Sequence, residues 1–283
     1  MSPLDVKVRT RSDDFQLIET LGRNRKKRTQ SGLFVVEGVR PINLMHANGW
    51  RVDSYVFSAD CERSKWAEEI LSRSTANRHY SLSKELLAEV SDKEEASELL
   101  AIVEMPKRDR GLDSIALSDP PLVVIADRPA SPGNLGTLMR SCDALGADGL
   151  AVFGHAADVF DPRTIRASTG SVFRLPVASV ESPRALARWL VELRDRWSAL
   201  QVVGSSAAGP TAAATLDWTT PTVLMVGSER AGLSRSLVEL CDVIVSIPIT
   251  GSASSLNVAS AASILLYEAA RQRAAPQLET RRK

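Results

Sequence analysis

The chain predicts an α/β protein built on a parallel sheet, with a smaller α/β domain ahead of it. Three observations carry this expectation. From Leu122 onward, short β-branched runs alternate with helix-period segments. Three loops that contain glycine follow such runs and open helices. The first hundred residues hold their own strands and helices, set off by a stretch rich in charge, glycine and proline. Regular alternation places parallel strands under helices on both faces. A length of 283 residues with 44% apolar content is enough to bury two cores.

Taken in order, a first helix is expected over Asp13 to Leu21, followed by a basic segment and a buried strand from Leu33 to Val36. Pro41 sits near the first turn of a helix reaching Ala47. A strand at Tyr55 to Phe57, a helix at Lys65 to Ser72, a helix at Lys84 to Val90 capped by Ser83, and a strand at Leu100 to Val103 complete this domain, residues 1–107. Residues 108–120 read as a linker with one short apolar interruption. In the second domain, 121–283, strands are expected at Leu122 to Ala126, Leu150 to Phe153, Val202 to Gly204, Thr222 to Val226 and Val243 to Ile247. A final helix runs through Arg271.

Composition excludes several function classes. No run approaches the roughly 18 apolar residues that span a bilayer, and the polar start, Met1 to Arg11, lacks a signal-peptide core, so the cytoplasm is the expected location. Cys61, Cys142 and Cys241 are far apart and read as buried thiols rather than disulfides. With His46, His79 and His155 equally scattered, no metal site is expected. The net charge is only +1, but Arg23, Arg25, Lys26, Lys27 and Arg28 cluster while acids collect between Glu85 and Glu104. Phosphate binding depends on the local field, which the total conceals, so the basic cluster is a candidate RNA contact.

Chemistry points to the three loops. Asn134-Leu135-Gly136-Thr137-Leu138-Met139-Arg140 opens one helix, Gly227-Ser228-Glu229-Arg230-Ala231-Gly232-Leu233-Ser234 leads into another, and Ile247-Pro248-Ile249-Thr250-Gly251-Ser252-Ala253-Ser254-Ser255-Leu256-Asn257 precedes the last. Small residues let a backbone approach a ligand closely, and helix N-termini offer unpaired N–H groups. The three loops are expected to converge on one site. A Rossmann dinucleotide domain is the competing interpretation, and it fails because no G-x-G-x-x-G follows the first strand of this region.

In order and spacing, these segments resemble the signature motifs of the SpoU/TrmH family of RNA ribose methyltransferases, the SPOUT fold. Asp127 to Asn134, Gly154 to Pro162 and Ser168 to Ser171 further resemble members that methylate a uridine of 23S ribosomal RNA and confer antibiotic resistance. The resemblance implies a C-terminal trefoil knot, which topology rules alone would disfavour, and an L30e-like RNA-binding domain in front of it. It also implies S-adenosylmethionine as cofactor and a homodimer, to which the small-residue helix Ala259 to Ala270 can contribute.

Carried over residue by residue, the resemblance assigns cofactor binding to Gly204, Ser205, Gly227, Ile247, Ser255, Leu256 and Asn257. It assigns catalysis to Arg140, with Asn134 beside it. Two roles stay open for Arg140. A literal base must overcome a guanidinium pKa above about 12, whereas a phosphate clamp need not. Glu229 is either the alternative proton acceptor or an anchor for its loop. Arg163, Arg166 and Thr169 join the basic cluster as RNA contacts. Ribose methylation of tRNA, or a non-catalytic RNA-binding role in ribosome assembly, are the alternatives.

Overall fold

The computed structural model describes residues 3–91, 93, 95–106, 111–228 and 230–280, with side chains up to residue 274. Two compact units emerge, one of Met1–Arg108 with Asp158–Arg174, the other of Asp109–Ala157 with Leu175–Lys283.

The first unit contains β1 (Leu4–Val8), α1 (Asp13–Arg23), α2 (Arg25–Ser31), β2 (Leu33–Glu37), α3 (Val39–Ala47), β3 (Val52–Ser58), α4 (Lys65–Ser72), β4 (Arg78–Leu82), α5 (Lys84–Val90) and β5 (Leu99–Glu104). Its sheet runs β1-β4-β3-β5-β2. The first three of these strands are parallel, and β5 is antiparallel to both neighbours. Ser64 and Ser83 cap α4 and α5 by accepting from Ala67 N and Leu86 N, the capping that polar residues ahead of an apolar period supply. Phe15, Ile18 and Leu21 on one face of α1 meet Val35, Val56, Leu100 and Ile102 in the core.

Three elements here were not anticipated. β1 (LDVKV) and β4 (RHYSL) are short and interleave polar with apolar residues, and β1 is an edge strand that pairs only with β4. α2, sequence RKKRTQS, has no apolar stripe. It is held by Asn24, whose side chain accepts from Lys27 N, by Gly32 in the left-handed region at its end, and by burial of Arg28.

The segment Asp158–Arg174, including α7 (Pro162–Ser168), groups with this unit although it lies 50 residues beyond Arg108 in the chain. Phe160 lies 4.6 Å from the Phe34 ring, Phe173 sits edge-on to Trp50 at 5.2 Å, and Trp50 Nε1 donates to Phe173 O at 3.0 Å.

The second unit contains β6 (Leu122–Asp127), α6 (Pro132–Ala144), β7 (Gly149–Phe153), β8 (Val177–Val180), α8 (Pro183–Arg196), β9 (Gln201–Ser205), β10 (Thr211–Ala212), β11 (Thr222–Val226), α9 (Arg235–Val238), β12 (Val243–Ser246) and α10 (Val258–Thr280). Its seven strands, in the order β10-β12-β9-β11-β6-β7-β8, all pair in parallel. The central strands are buried along their whole length, as a sheet covered on both faces requires. Leu186, Trp189, Leu190 and Leu193 of α8 pack with Val123, Ile125, Val202, Val223 and Met225. Leu112 and Ile115, the apolar interruption of the expected linker, are buried in the same core. β8 and β10 escaped the sequence reading because each is very short.

Burial corrects one expectation about the cysteines: Cys142 is buried and Cys241 half-buried, whereas Cys61 is exposed. Burial pushes the Cys241 thiol up to about 12. No helix among the described residues is long and apolar enough to cross a membrane.

α10 packs against α6, where Ser141 and Ser263 hydroxyls meet at 2.7 Å. Farther along α10, the Arg273 guanidinium donates to four backbone carbonyls, Trp218 O at 2.8 Å, Pro120 O and Thr220 O at 2.9 Å and Pro121 O at 3.0 Å. These carbonyls belong to the entries of β6 and β11, so one cation pins the last helix to the centre of the sheet. Arg273→Met should lower the unfolding free energy by about 3 kcal/mol in chemical denaturation, because it strands half-buried carbonyls as well as removing bonds.

Candidate functional site

β12, β9 and β11 lie side by side and parallel, with Met225 and Ile244 both paired to Gly204 and Val245 paired to Ser205. Their carboxyl ends therefore fall at one edge of the sheet, where ligands of open α/β sheets bind. The loops that leave this edge enclose a cleft of about 480 Å³, a size suited to a small organic molecule. Ser205, Gly227, Ile247, Ser255 and Leu256 line it, together bringing the end of β9, the second motif and the third motif to one place. Sequence reasoning missed Arg230, Leu233, Ile249 and Ala261, which also line it. Their only signal was position inside or just after the same loops.

The second-motif loop folds back on itself. Ser228 and Gly232 exchange backbone hydrogen bonds at 3.0 Å, and Gly232 takes a φ of 62°. A Cβ on Gly227 would overlap the Gly232 carbonyl carbon and the Leu233 nitrogen. Glycine is thus required at 227 by the loop's own closure. The far end of the loop is held from below: Ser234 N donates at 2.5 Å to Asp127, a fully buried carboxylate at the end of β6 that also accepts from Arg128 Nε at 2.8 Å. Arg128 itself sits at φ 50°, a left-handed conformation that costs a non-glycine residue about 1 kcal/mol.

Two expected cofactor residues stand outside the cleft lining. A Cβ on Gly204 would lie 2.5 Å from Ile244 Cδ1 and 2.8 Å from Cys241 Sγ, so this glycine leaves room for the side chains packed against the strand. The Asn257 side chain caps α10, its Oδ1 accepting from Ala259 N at 2.9 Å and Ser260 N at 3.3 Å. Its Nδ2 donates at 3.0 Å to Asn134 Oδ1. The first motif thus reaches the third through this amide pair and does not itself line the cleft.

The Arg140 side chain is exposed on α6 and makes no hydrogen bond or ion pair among the described residues. Six residues separate it from Asn134, which turns it roughly 120° around the helix and away from that amide pair. Glu229 lies outside the described residues.

Within the first unit, Arg23, Arg25, Lys26 and Lys27 are exposed, with Arg23 paired to Glu19 at 2.7 Å. Arg28 corrects the expected RNA contact. Its side chain is 1% exposed and its Nη2 lies 2.7 Å from Asp158, so no phosphate reaches it. Arg163 and Arg166 are exposed on α7, and Thr169 is half-buried at the helix end with φ 51°. Burial raises the Asp161 carboxyl, but hydrogen bonds from Arg163 and the charges of Arg163 and Arg28 outweigh this and hold it below the usual range. Among the described residues, no three His, Cys, Asp or Glu side chains gather as a metal-ligand set.

The SpoU rRNA Methylase family matches residues 121–267 of the chain, and the SpoU L30e-like domain matches residues 12–101. The chain belongs to the SpoU rRNA methylase family. Family membership fits both the parallel sheet and the domain that precedes it. The chain is 46% identical over 273 residues to the 23S rRNA (uridine(2479)-2'-O)-methyltransferase of Streptomyces viridochromogenes, covering 96% of this chain and 94% of that protein. The crystal structure of the SpoU methyltransferase AviRb from Streptomyces viridochromogenes in complex with AdoMet superposes with a TM-score of 0.87 at 46% identity, over 94% of this chain and 99% of that one. An AdoMet-bound rRNA methyltransferase from Sinorhizobium meliloti superposes with a TM-score of 0.82 at 29% identity, over 94% and 98%.

Glycines 227 and 251 should respond differently to substitution. Gly227→Ala should open the loop, lowering stability by about 2 kcal/mol or more and abolishing ligand binding in the cleft. Gly251→Ala, whose Cβ would meet nothing within 4 Å, should leave the thermal unfolding midpoint unchanged. Thermal unfolding and titration calorimetry on the two purified variants check both outcomes.

Proposed function

We propose that this chain transfers a methyl group from S-adenosylmethionine to the 2'-hydroxyl of a uridine in 23S ribosomal RNA, with resistance to a ribosome-targeting antibiotic as a consequence. One observation carries the reading: the ends of three parallel strands bring Ser205, Gly227, Ile247, Ser255 and Leu256 to one cleft, in a member of a methylase family. The relative that is 46% identical over nearly the whole chain, named for this reaction, supports the substrate.

The cleft suits the cofactor chemically. Leu233, Ile249 and Leu256 offer apolar walls to a flat adenine, while Ser205, Ser228 and Ser255 offer hydroxyls to polar edges. When bound, S-adenosylmethionine supplies a methyl carbon activated by its sulfonium. Backbone atoms around Gly227, Ile247 and Leu256 hold the adenosyl part, so their side chains are free to pack. Asn134 and Asn257 fix α6 against the start of α10, which sets the helix that carries Arg140. Arg140 then acts on the ribose side, either accepting the hydroxyl proton or forking onto a phosphate of the target nucleotide. Glu229, outside the described residues, is the alternative proton acceptor or an anchor for its loop.

RNA is held by the domain of residues 1–107 through Arg23, Arg25, Lys26 and Lys27, and by Arg163, Arg166 and Thr169. Methyl transfer belongs to residues 121–283, whose C-terminal segment closes the trefoil knot. The working form is a cytoplasmic homodimer that needs no metal. Ile264 and Tyr267, one helical turn apart on α10 and 44% and 59% exposed, give a second copy an apolar surface to cover. Arg140 is absent from the lining of its own chain's cleft, which supports a role for it at the cleft of a second copy.

Incubating 23S ribosomal RNA with the protein and labelled cofactor, then mapping the product by mass spectrometry, tests the reaction and the nucleotide. Label in tRNA alone, or none with cofactor bound, would replace the substrate or the activity. Arg140→Ala should reduce kcat by at least about a hundredfold while cofactor affinity in calorimetry stays within twofold. Sedimentation should show a dimer at micromolar concentration, and a stable monomer would remove the shared arrangement.

A further inference from the structure

Among five clustered cations one is buried, and what buries it is a segment 130 residues away. Arg28 Nε donates to Asp158 Oδ2 at 2.8 Å, and Nη2 lies 2.7 Å from the same carboxylate and 3.6 Å from Asp161 Oδ2. Nη1 donates to Leu21 O at 2.9 Å and reaches Gly22 O at 3.4 Å. The guanidinium thus spends its donors on two partners at once: the end of α1 on one side, the loop ahead of α7 on the other.

Both carboxylates organise α7. Asp158 Oδ1 accepts from Phe160 N at 3.0 Å and its carbonyl accepts from Thr164 Oγ1 at 2.8 Å. Asp161 is the N-cap of α7, accepting from Arg163 N at 3.0 Å, and the same oxygen accepts from Arg163 Nε at 3.0 Å. A continuous path of charged hydrogen bonds runs from α2 through Arg28 to the helix whose outer face carries Arg163 and Arg166. Buried carboxylates without a cation would repel one another and draw water into the loop.

We infer that Arg28 is a positioning residue for the RNA substrate: it locks α2, with its exposed Arg25, Lys26 and Lys27, to α7, with Arg163 and Arg166, so that both sets of cations meet the RNA as one preformed surface. The inference rests on the proposed RNA-contact role of these exposed cations. A preformed array binds phosphates without the entropy cost of ordering each side chain and loop on contact. Arg28 touches no substrate, and the otherwise polar, exposed α2 has no other buried anchor, since Arg28 is its one buried residue. Lysine cannot replace it, because a single ammonium lacks the planar fork that serves Leu21 O and Asp158 together.

The test uses the full-length protein with 23S ribosomal RNA and the variants Asp158→Asn and Arg28→Lys, beside Arg163→Ala and Arg166→Ala. Asp158→Asn keeps the side-chain shape and should raise KM for RNA by about tenfold, with kcat at saturating RNA and cofactor affinity within twofold of the parent. The slope of log affinity against log salt should become shallower by about 0.7 for each phosphate contact that α7 no longer makes. Arg28→Lys should show the same split. KM for RNA and salt slope unchanged in Asp158→Asn, while Arg163→Ala and Arg166→Ala raise KM, would overturn the positioning role alone. Unchanged KM in the two α7 alanine variants would instead overturn their RNA contact. Parallel loss of kcat and cofactor affinity in both Arg28→Lys and Asp158→Asn would mean a general folding role, and would also sink the inference.

Discussion

The cleft depends on a loop with no room in it. Between Val226 and Ser234 the chain must turn back within van der Waals distance of itself, and the missing Cβ of Gly227 is what permits the Ser228–Gly232 backbone pair. Without that closure Leu233 would not reach the wall it forms. The loop's far end hangs on a buried carboxylate, Asp127, whose charge is compensated by Arg128 and by the amide of Ser234. Burying a carboxylate is costly unless it is paired and hydrogen-bonded, and here both conditions are met by Arg128 and the backbone N–H of Ser234, which follows the loop that lines the pocket.

The same economy governs the link between motifs. A single asparagine, Asn257, ends the third loop, caps α10 and reaches Asn134 on α6. One amide thereby gives the eleven-residue stretch 247–257 a fixed exit. The residues 250–257 stay exposed throughout, which leaves their small side chains and backbone available to a ligand. Stability is supplied elsewhere, by the buried strands beneath and by Arg273 at the opposite entry of the sheet.

In the first unit, polar groups and not apolar ones define the special features. α2 has no hydrophobic face, yet it is ordered because Arg28 finds two carboxylates and two carbonyls. An ion pair of this kind earns specificity more than stability: it selects one placement of α7 relative to α2, a role that shape-blind hydrophobic contact fills poorly. The aromatic group of Phe34, Trp50, Phe160 and Phe173 then fills the adjoining space.

Periodicity and caps made most of the fold legible in the sequence. α4, α5 and β11 fall where Ser64, Ser83 and the run TVLMV place them, because capping and β-branched content are local signals. The three glycine loops were legible for the same reason, whereas Ser205, Gly227, Ile247, Ser255 and Leu256, which line the cleft, were singled out through the family resemblance that the motifs carry. Only the tertiary structure decided the rest. Arg28 reads as one more surface cation until a carboxylate 130 residues away covers it, and the packing of Ile244 and Cys241 against Gly204 and the Asn257–Asn134 hydrogen bond join residues far apart in the chain. A side chain's neighbours along the chain fix its conformation, but its exposure and its partners are set by segments that meet it only after folding.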